Sequence, residues 1–458
     1  MAPLRILISG GGIAGNALAF WLSKIGHDVT VVERFSSLRD NGLQLDLRGH
    51  GIEVMKRMGL QEVFGAQVAP EKGMRLVDKR GRQRAFFPAT TSRDGVQNFT
   101  TEFEIMRGDF CRILHDAAAE RGAKFVFGTS IERMDDNGTS VEVRFANGKD
   151  DSFDLVVGAD GLNSRTRKMM LGPGADDGLR PLDGLVAGYF NMPRPMQEGE
   201  EYLATFYLAP GRRGLMIRRS NPETLQVYAG GRTDAFKNVP RGDVKAEKAA
   251  MTEMLRGAGW ETENVLKALN TDNDFYLERM AVVKLDRWFR GRVVLVGDAA
   301  WCPTANTGMG TTSSIVGAYI LAGEISRYCG RGTANRAGTP NTGDNIAQAL
   351  ASYDTVFRPF MDHVQKGVGE GGAALGYLLS SAFGIWLLYL VAAIASFCQV
   401  NIGAMMLKEQ VKNWHLPDYE ELLKEENRPG WVSGDITAQN HRDAMQLWPV
   451  AGESSVVS

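Results

Sequence analysis

Three glycines in the spacing Gly10-x-Gly12-x-x-Gly15 separate the apolar run Leu4-Arg5-Ile6-Leu7-Ile8 from a helical stretch over residues 17–25. A second apolar run, Val29-Thr30-Val31-Val32, follows and ends at Glu33, 23 positions after Gly10. Strand, glycine turn, helix and strand in this order open a βαβ unit. The glycines answer a specific physical need: the turn must be tight, its backbone must approach a pyrophosphate closely, and free N–H groups at the helix start must face that charge. An acid about 20 residues further on serves the ribose hydroxyls of a dinucleotide, a role Glu33 fits. Ala19 and Gly26 are in register with the fingerprint, and Ala14 and Arg34 join the residues expected around the ligand. A turn without a ligand explains this context poorly. The motif by itself does not separate FAD from NAD.

At 458 residues the chain exceeds what one hydrophobic core organises, so a large domain with at least one companion is expected. A formal net charge of −2 gives no electrostatic reason for a nucleic-acid partner. Cys111, Cys302, Cys329 and Cys398 show neither a paired framework nor metal-ligand spacing. That suits a reducing compartment, and no metal site is expected. Residues 1–8 lack the charged start, apolar core and cleavage site of a secretory signal, so a cytoplasmic protein is expected.

Further along, residues 43–47 read as a short strand, 51–58 as a helix stopped by Gly59, and 107–121 as another helix. Strands follow at 124–127, 141–145 and 154–157, with Asn147-Gly148 as a hairpin-turn signal. From about residue 176 to 284 the pattern alternates, as in an antiparallel sheet with helices on one side. Residues 293–296 return to an apolar strand and 311–327 to a helix, while 330–345 read as a surface loop. The fold class is therefore α/β, a Rossmann-type domain with an antiparallel-sheet substrate domain and a C-terminal helical segment. The first domain is discontinuous, expected at 1–75, 101–175 and 285–370; the second takes 76–100 and 176–284, and the C-terminal segment 371–458.

Two later glycine segments bear on the ligand. One is Asp154-Leu155-Val156-Val157-Gly158-Ala159-Asp160-Gly161, continuing through Ser164 and Arg167. The other is Gly291-Arg292-Val293-Val294-Leu295-Val296-Gly297-Asp298-Ala299-Ala300, continuing through Pro303 to Gly308-Met309-Gly310-Thr311-Thr312. With the fingerprint, this ordered set resembles the class A flavoprotein monooxygenases, the para-hydroxybenzoate hydroxylase type, in the look of their fungal and actinobacterial secondary-metabolism members. The resemblance covers residues 4–365 and includes Arg107 at a helix start, Trp288, Tyr353 and Arg358-Pro359.

It implies FAD as cofactor, with NADPH or NADH as reductant and O2 as co-substrate. The reductant visits the same flavin, since no second fingerprint occurs after residue 60. Asp298 is implied at the ribityl hydroxyls, Arg107 near the phosphate and ribitol, and Asp160 with Gly161 in a turn serving FAD and the transient nicotinamide. Arg48 stands where relatives bring side chains toward the flavin; a surface strand-end arginine is the plain alternative. Gly308, Gly310, Thr311 and Thr312, with Pro303 before them, would offer amides and a positive dipole end to the charge that reduction puts near flavin N1. One departure is Trp301, where many relatives have His; a bulky aromatic beside the flavin puts the local packing in doubt.

The implied reaction proceeds through a C4a-hydroperoxyflavin that hydroxylates, epoxidises or performs a Baeyer–Villiger insertion on an apolar or aromatic natural-product intermediate. Two rivals remain: a C=C reductase or dehydrogenase on the same fold, and a non-catalytic flavoprotein that sequesters a ligand or anchors at a membrane. No catalytic residue is assigned, because His50 and His115, the nearest candidates, read as structural. No charged residue occurs between Glu370 and Lys408. Residues 373–397 are long enough to cross about 30 Å of hydrocarbon, yet burial or a monotopic membrane contact is the other reading. The resemblance implies a long helix there that covers the substrate domain. Oligomeric state is not set by the sequence.

Overall fold

The computed structural model describes residues 2–38, 42, 44–90, 99–219, 221–330, 342–368, 380–400 and 414–424. Residue 43 of an expected strand, 331–341 of the expected loop and 373–379 of the apolar stretch lie outside them. The chain begins β1 (Arg5–Ser9), α1 (Ile13–Lys24), β2 (Asp28–Glu33), β3 (Gln44–Asp46), α2 (His50–Arg57), α3 (Gln61–Gly65), β4 (Gly73–Val77) and β5 (Gln83–Pro88). It continues with β6 (Glu104–Met106), α4 (Arg107–Glu120), β7 (Lys124–Phe127), β8 (Ile131–Asp136), β9 (Val141–Phe145), β10 (Asp150–Phe153), β11 (Leu155–Gly158) and α5 (Arg165–Leu171). Next come β12 (Leu179–Pro193), β13 (Ala204–Ala209), β14 (Arg213–Arg219), β15 (Thr224–Arg232), α6 (Val244–Leu255), α7 (Thr262–Thr271) and β16 (Tyr276–Val283). The last are β17 (Phe289–Arg290), β18 (Val293–Leu295), α8 (Asp298–Trp301), α9 (Gly310–Cys329) and α10 (Thr342–Gln365), before a helix over Ala382–Phe397 and a short one over Glu420–Leu423.

A six-stranded sheet in the order β17-β18-β11-β1-β2-β7 forms the first layer. β1 pairs in parallel with β11 and β2, and β18 joins β11 from the far end of the chain. Because β1 is central and buried on both sides, it reads as an unbroken apolar run rather than an alternating one. α1 packs between this sheet and α9, with Phe20, Trp21 and Leu22 wholly enclosed. Asn147-Gly148 does turn β9 into β10, with Gly148 in the left-handed region at φ +81°.

The second layer is a seven-stranded sheet, β16-β12-β15-β14-β13-β4-β5. Its strands from residues 179–283 pair antiparallel throughout, as expected, and β4, from earlier in the chain, joins β13 in parallel. β4 straddles positions 75 and 76 and pairs along its length with β5, which places the whole strand in this sheet. Alternation sorts its residues between two faces. Leu215, Ile217, Val227 and Ala229 pack against Met251, Leu255, Val265 and Leu269 of α6 and α7. The other face meets the β3–β6 ribbon of the first layer: Gln226 Nε2 lies 2.8 Å from Met106 Sδ and the Tyr228 hydroxyl donates to the Gln44 carbonyl at 3.3 Å.

Two expectations change at the C-terminal side. α10 starts at Thr342, so the end of the expected 330–345 loop is helical, with Asp344 favourable to the dipole in its first turn. The apolar helix Ala382–Phe397 has 16 residues, about 24 Å of rise against about 30 Å of hydrocarbon. Among the described residues no helix is long and apolar enough to cross a membrane, which removes the spanning reading for them. The helix instead lies on β5, β13 and the end of β4, where Tyr389 donates its hydroxyl to the Val77 carbonyl of β4 at 2.8 Å and Ser396 donates to the Phe86 carbonyl of β5 at 2.7 Å.

After it, residues 414–424 return to the first layer. Trp414 donates to the Val356 carbonyl at 2.9 Å, the Tyr419 hydroxyl meets Glu324 at 2.6 Å, and Lys24 Nζ donates to the Leu422 carbonyl at 2.7 Å. Gly323 makes room for this strap, since a Cβ there would stand 2.2 Å from the Tyr419 ring.

Candidate functional site

The fingerprint glycines divide into two kinds. Gly10 has φ +112°, and a Cβ on it would fall 2.5 Å from the Ala159 carbonyl oxygen; one on Gly15 would fall 2.0 Å from the Gly10 oxygen. Those two close the turn. A Cβ on Gly12 would meet only Arg107 Nη2, at 3.9 Å, and Gly12 caps α1 without any side-chain bond. Open space therefore stands at an uncapped helix N-terminus, which is the cradle a pyrophosphate requires. At the end of β2, Glu33 holds the loop, accepting from the Gly11 amide at 2.9 Å and the Phe35 amide at 3.1 Å. Arg34 is exposed and lies 4.8 Å from the Phe35 ring centre. Ala14 is buried and packs toward Gly297, where a Cβ would stand 2.8 Å from its own.

Asp160 uses both carboxylate oxygens to start α5. One accepts from the Ser164 hydroxyl at 2.5 Å, the other from the amides of Arg165 at 2.9 Å and Thr166 at 3.0 Å. Ser164 in turn accepts from the Arg167 amide at 2.8 Å. Arg167 is fully buried and donates to the carbonyls of Ala299 at 3.0 Å and Leu162 at 2.8 Å. The two later glycine segments are thus held together by one guanidinium.

Asp298 begins α8 after Gly297 at φ +66°. Burial raises its carboxyl pKa, opposed by a hydrogen bond from Cys302 and by the charge of Arg107. Arg107 opens α4 and packs its side chain against Gly42. Past buried Pro303, Thr304 adopts φ 66°, ψ 149°, a region that is essentially glycine's, at a cost of about 1–3 kcal/mol. This strained turn leads through Gly308, at φ +65°, into α9. The first regular helical bond of α9 runs from Ser313 N to the Met309 oxygen at 2.9 Å, so the amides of Gly310, Thr311 and Thr312 lie ahead of it. No side chain caps this end, and a Cβ on Gly310 would meet nothing within 4 Å.

Arg48 and Thr312 are held by partners of their own. Arg48 is only 2% exposed, ion-paired with Asp46 and donating to the Phe99 carbonyl at 3.1 Å, so it is no surface strand-end arginine. The Thr312 hydroxyl both accepts from the Arg48 amide, at 2.9 Å, and donates to its carbonyl, at 3.0 Å, which leaves its backbone rather than its side chain toward a ligand. Trp301 resolves the packing doubt raised by its size. Its indole is buried among Trp288, 4.7 Å away between ring centres, and Phe357, at 5.1 Å, over Gly317, where a Cβ would stand 2.6 Å from it.

One group of residues carries no motif. Arg218 of β14 forms ion pairs with Glu71, at 2.7 Å, and with Glu104 of β6, while Gln44 donates to Glu104 at 2.8 Å. Beside them lie the Asp46–Arg48 pair, with Thr101 donating to Asp46 at 2.7 Å, and the hydroxyl of Tyr228. Three carboxyls against two guanidiniums leave one in excess in a dry place. Burial above all pushes Glu71 up to about 7 and Asp46 up to about 8, Glu104 adding to both shifts and the arginines opposing them. The available signal was Arg218 and Arg219, adjacent on one strand and both buried, one on each face. On the same inner face Tyr189 packs edge-on to Tyr228 at 5.6 Å and donates to Glu278 at 3.2 Å, giving an aromatic wall with a polar rim. His50 sits against Trp414 and Glu53, and His115 against Phe125 and Asp116, so neither histidine reaches this face.

The FAD binding domain family matches residues 4–339 of the chain. The chain belongs to the FAD-dependent monooxygenases. This monooxygenase is 50% identical over 431 residues to FAD-dependent monooxygenase asL4 of Sarocladium schorii, covering 93% of this chain and 100% of that one. It is 38% identical over 441 residues to flavin-dependent monooxygenase eupH of a Phoma species, covering 92% and 98%. Among solved structures it is similar to tetracycline destructase Tet(51), with a TM-score of 0.68, 27% identity and coverage of 92% and 100%. The residues around Gly12 and α9 fit FAD, the family's cofactor.

Proposed function

We propose that the monooxygenase uses NAD(P)H and O2 to insert one oxygen atom into an apolar or aromatic natural-product intermediate, bound between the flavin site and the inner face of the seven-stranded sheet. The observation that carries this reading is the aromatic wall of Tyr189 and Tyr228 facing the flavin-binding layer, with Arg218 and Gln226 as polar groups beside it. Relatives bearing monooxygenase names, asL4 and eupH among them, support the same reading.

Bound FAD supplies the redox and oxygen chemistry, and the protein supplies binding, orientation and a dry site. The open helix end at Gly12 would take the pyrophosphate, Glu33 and Arg34 the adenosine side, and Asp298 with Arg107 the ribityl and phosphate region. The amides of Gly310, Thr311 and Thr312 would stabilise negative charge on the ring, a hydrogen-bond and dipole arrangement that needs no side chain. No residue is needed as a nucleophile. The sheet would hold the substrate carbon toward the flavin and exclude water.

The test is single-turnover and steady-state work on the purified flavoprotein with candidate polyketide, terpenoid and aromatic substrates under labelled O2. Product heavier by one labelled oxygen, with NAD(P)H consumed in equal amount, is expected. Reduced product without label would instead support the C=C reductase reading, and a flavin that NAD(P)H never bleaches would support an idle one.

A further inference from the structure

The helix Ala382–Phe397 has two unlike faces. Gly384, Ile385 and Ala395 are buried against the large sheet, and Tyr389 and Ser396 are bonded to it. The opposite face presents Phe383, Trp386, Leu390, Val391, Ile394 and Phe397 in one helical stripe, with Phe383 72% and Phe397 90% exposed. Isolated apolar residues on a surface need no explanation, but a continuous stripe of large ones along a whole helix does. The helix itself carries no charge.

Its surroundings are basic. The β4–β5 turn reads Lys79-Arg80-Gly81-Arg82-Gln83-Arg84, all exposed, with Arg84 paired to Asp78 at 2.6 Å. The β13–β14 turn contributes exposed Arg212. Parallel pairing of β4 with β13 places both turns at one end of the sheet. The start of the apolar helix lies at that end, since the Gly211 amide donates to the Ser380 carbonyl at 3.3 Å and Tyr389 reaches Val77. In a chain of net charge −2, cations of one sign are thereby gathered next to an exposed apolar stripe.

We propose that this face docks on the anionic surface of a lipid bilayer, with the helix lying in the headgroup plane and the two turns on acidic headgroups. An amphipathic surface that combines large apolar side chains with adjacent Lys and Arg is the arrangement interfacial binding needs. A second copy of the chain could cover the stripe, yet a symmetric pair would bring no counter-charge to the basic turns. Anionic headgroups supply it. The proposal does not depend on the substrate, and its failure would leave the flavin chemistry untouched.

The experiment is flotation of the purified, flavin-loaded full chain with vesicles of phosphatidylcholine alone, or with about 30% phosphatidylserine. Flotation with the anionic vesicles at low salt is expected, about tenfold weaker with neutral vesicles or in high salt. Phe383→Ser with Trp386→Ser should lower partitioning about tenfold, and Arg80→Glu with Arg82→Glu should remove the preference for anionic lipid, both at unchanged flavin content. Absence of flotation, or flotation indifferent to both pairs of substitutions, would overturn the proposal. So would a dimer in sedimentation equilibrium that the serine substitutions dissociate.

Discussion

Arg167 donates from Nη1 to the carbonyl of Ala299 at 3.0 Å, fastening the helix after Asp160-Gly161 to the helix that Asp298 begins. Both partners are buried, and the same guanidinium satisfies the Leu162 carbonyl. Arg167→Leu would take this donor from the buried Ala299 carbonyl and the half-buried Leu162 carbonyl, at about 1–3 kcal/mol for the buried one. We expect a stability loss of roughly 2–5 kcal/mol in urea denaturation and weaker flavin retention on gel filtration. Full retention of FAD by a variant so destabilised would show that the coupling between the two segments does not reach the site.

The glycines of the fingerprint give a sharper contrast. Gly15→Ala forces a Cβ onto the Gly10 oxygen, so the apoprotein itself should be destabilised by more than about 1 kcal/mol. Gly12→Ala meets no backbone, so the apoprotein should melt within a few degrees of wild type while FAD affinity falls at least about tenfold. Thermal melts of the two apoproteins, beside flavin titrations, separate packing from ligand space.

Trp301 and Gly317 form a matched pair, an indole lying where a side chain is missing. Gly317→Ala should cost about 1–3 kcal/mol by overpacking against Trp301 and Phe357. Trp301→His should cost a similar amount or more, because the smaller ring leaves a void in the aromatic cluster. Denaturation midpoints read both, and a Trp301→His variant as stable as wild type would mean the site collapses around the smaller ring.

The Glu71–Arg218–Glu104 group predicts a pH dependence of definite sign. With its pKa near 7, folded Glu71 keeps a proton that the unfolded chain releases near pH 4 to 5. The native state then binds more protons, so stability falls as pH rises from about 5 to about 7, with a slope of up to about 1.4 kcal/mol per unit. Glu71→Gln keeps the size and hydrogen bonding of the protonated form and should remove the Glu71 share of that slope, while Asp46, pushed up to about 8, keeps its own share of the same sign. Denaturation midpoints at several pH values for both proteins decide it.

What the sequence discloses follows from where the physics is local. The glycine turn, its helix and Glu33 interact within one βαβ unit, so spacing alone exposes them; Asn147-Gly148 is legible for the same reason. α1 extends back to Ile13 because the fingerprint loop is its first turn, something apolar periodicity from residue 17 does not reveal. Long-range pairings are a different matter. Nothing near Gly73 announces a parallel partner at Ala204, and nothing near Arg218 announces Glu71, 147 positions away. The apolar run at 373–397 has the composition of a span, but Tyr389 and Ser396 carry polar atoms that find partners on β4 and β5, and those bonds lay the helix on the sheet.

The strap at residues 414–424 has a consequence for how the protein is made. The flavin-binding layer takes its central strand from residues 5–9, β18 on the far side of β11 from residues 293–295, and its closing contacts at Lys24 and Gly323 from the strap. During synthesis the seven-stranded sheet, complete at Val283, can leave the ribosome and pair first, while β1 and α1 wait with apolar surface uncovered. The start of this chain therefore keeps part of its apolar surface uncovered until residues 414–424 emerge, and a ribosome stalled before residue 414 would release a protein whose flavin domain lacks the contacts of the strap.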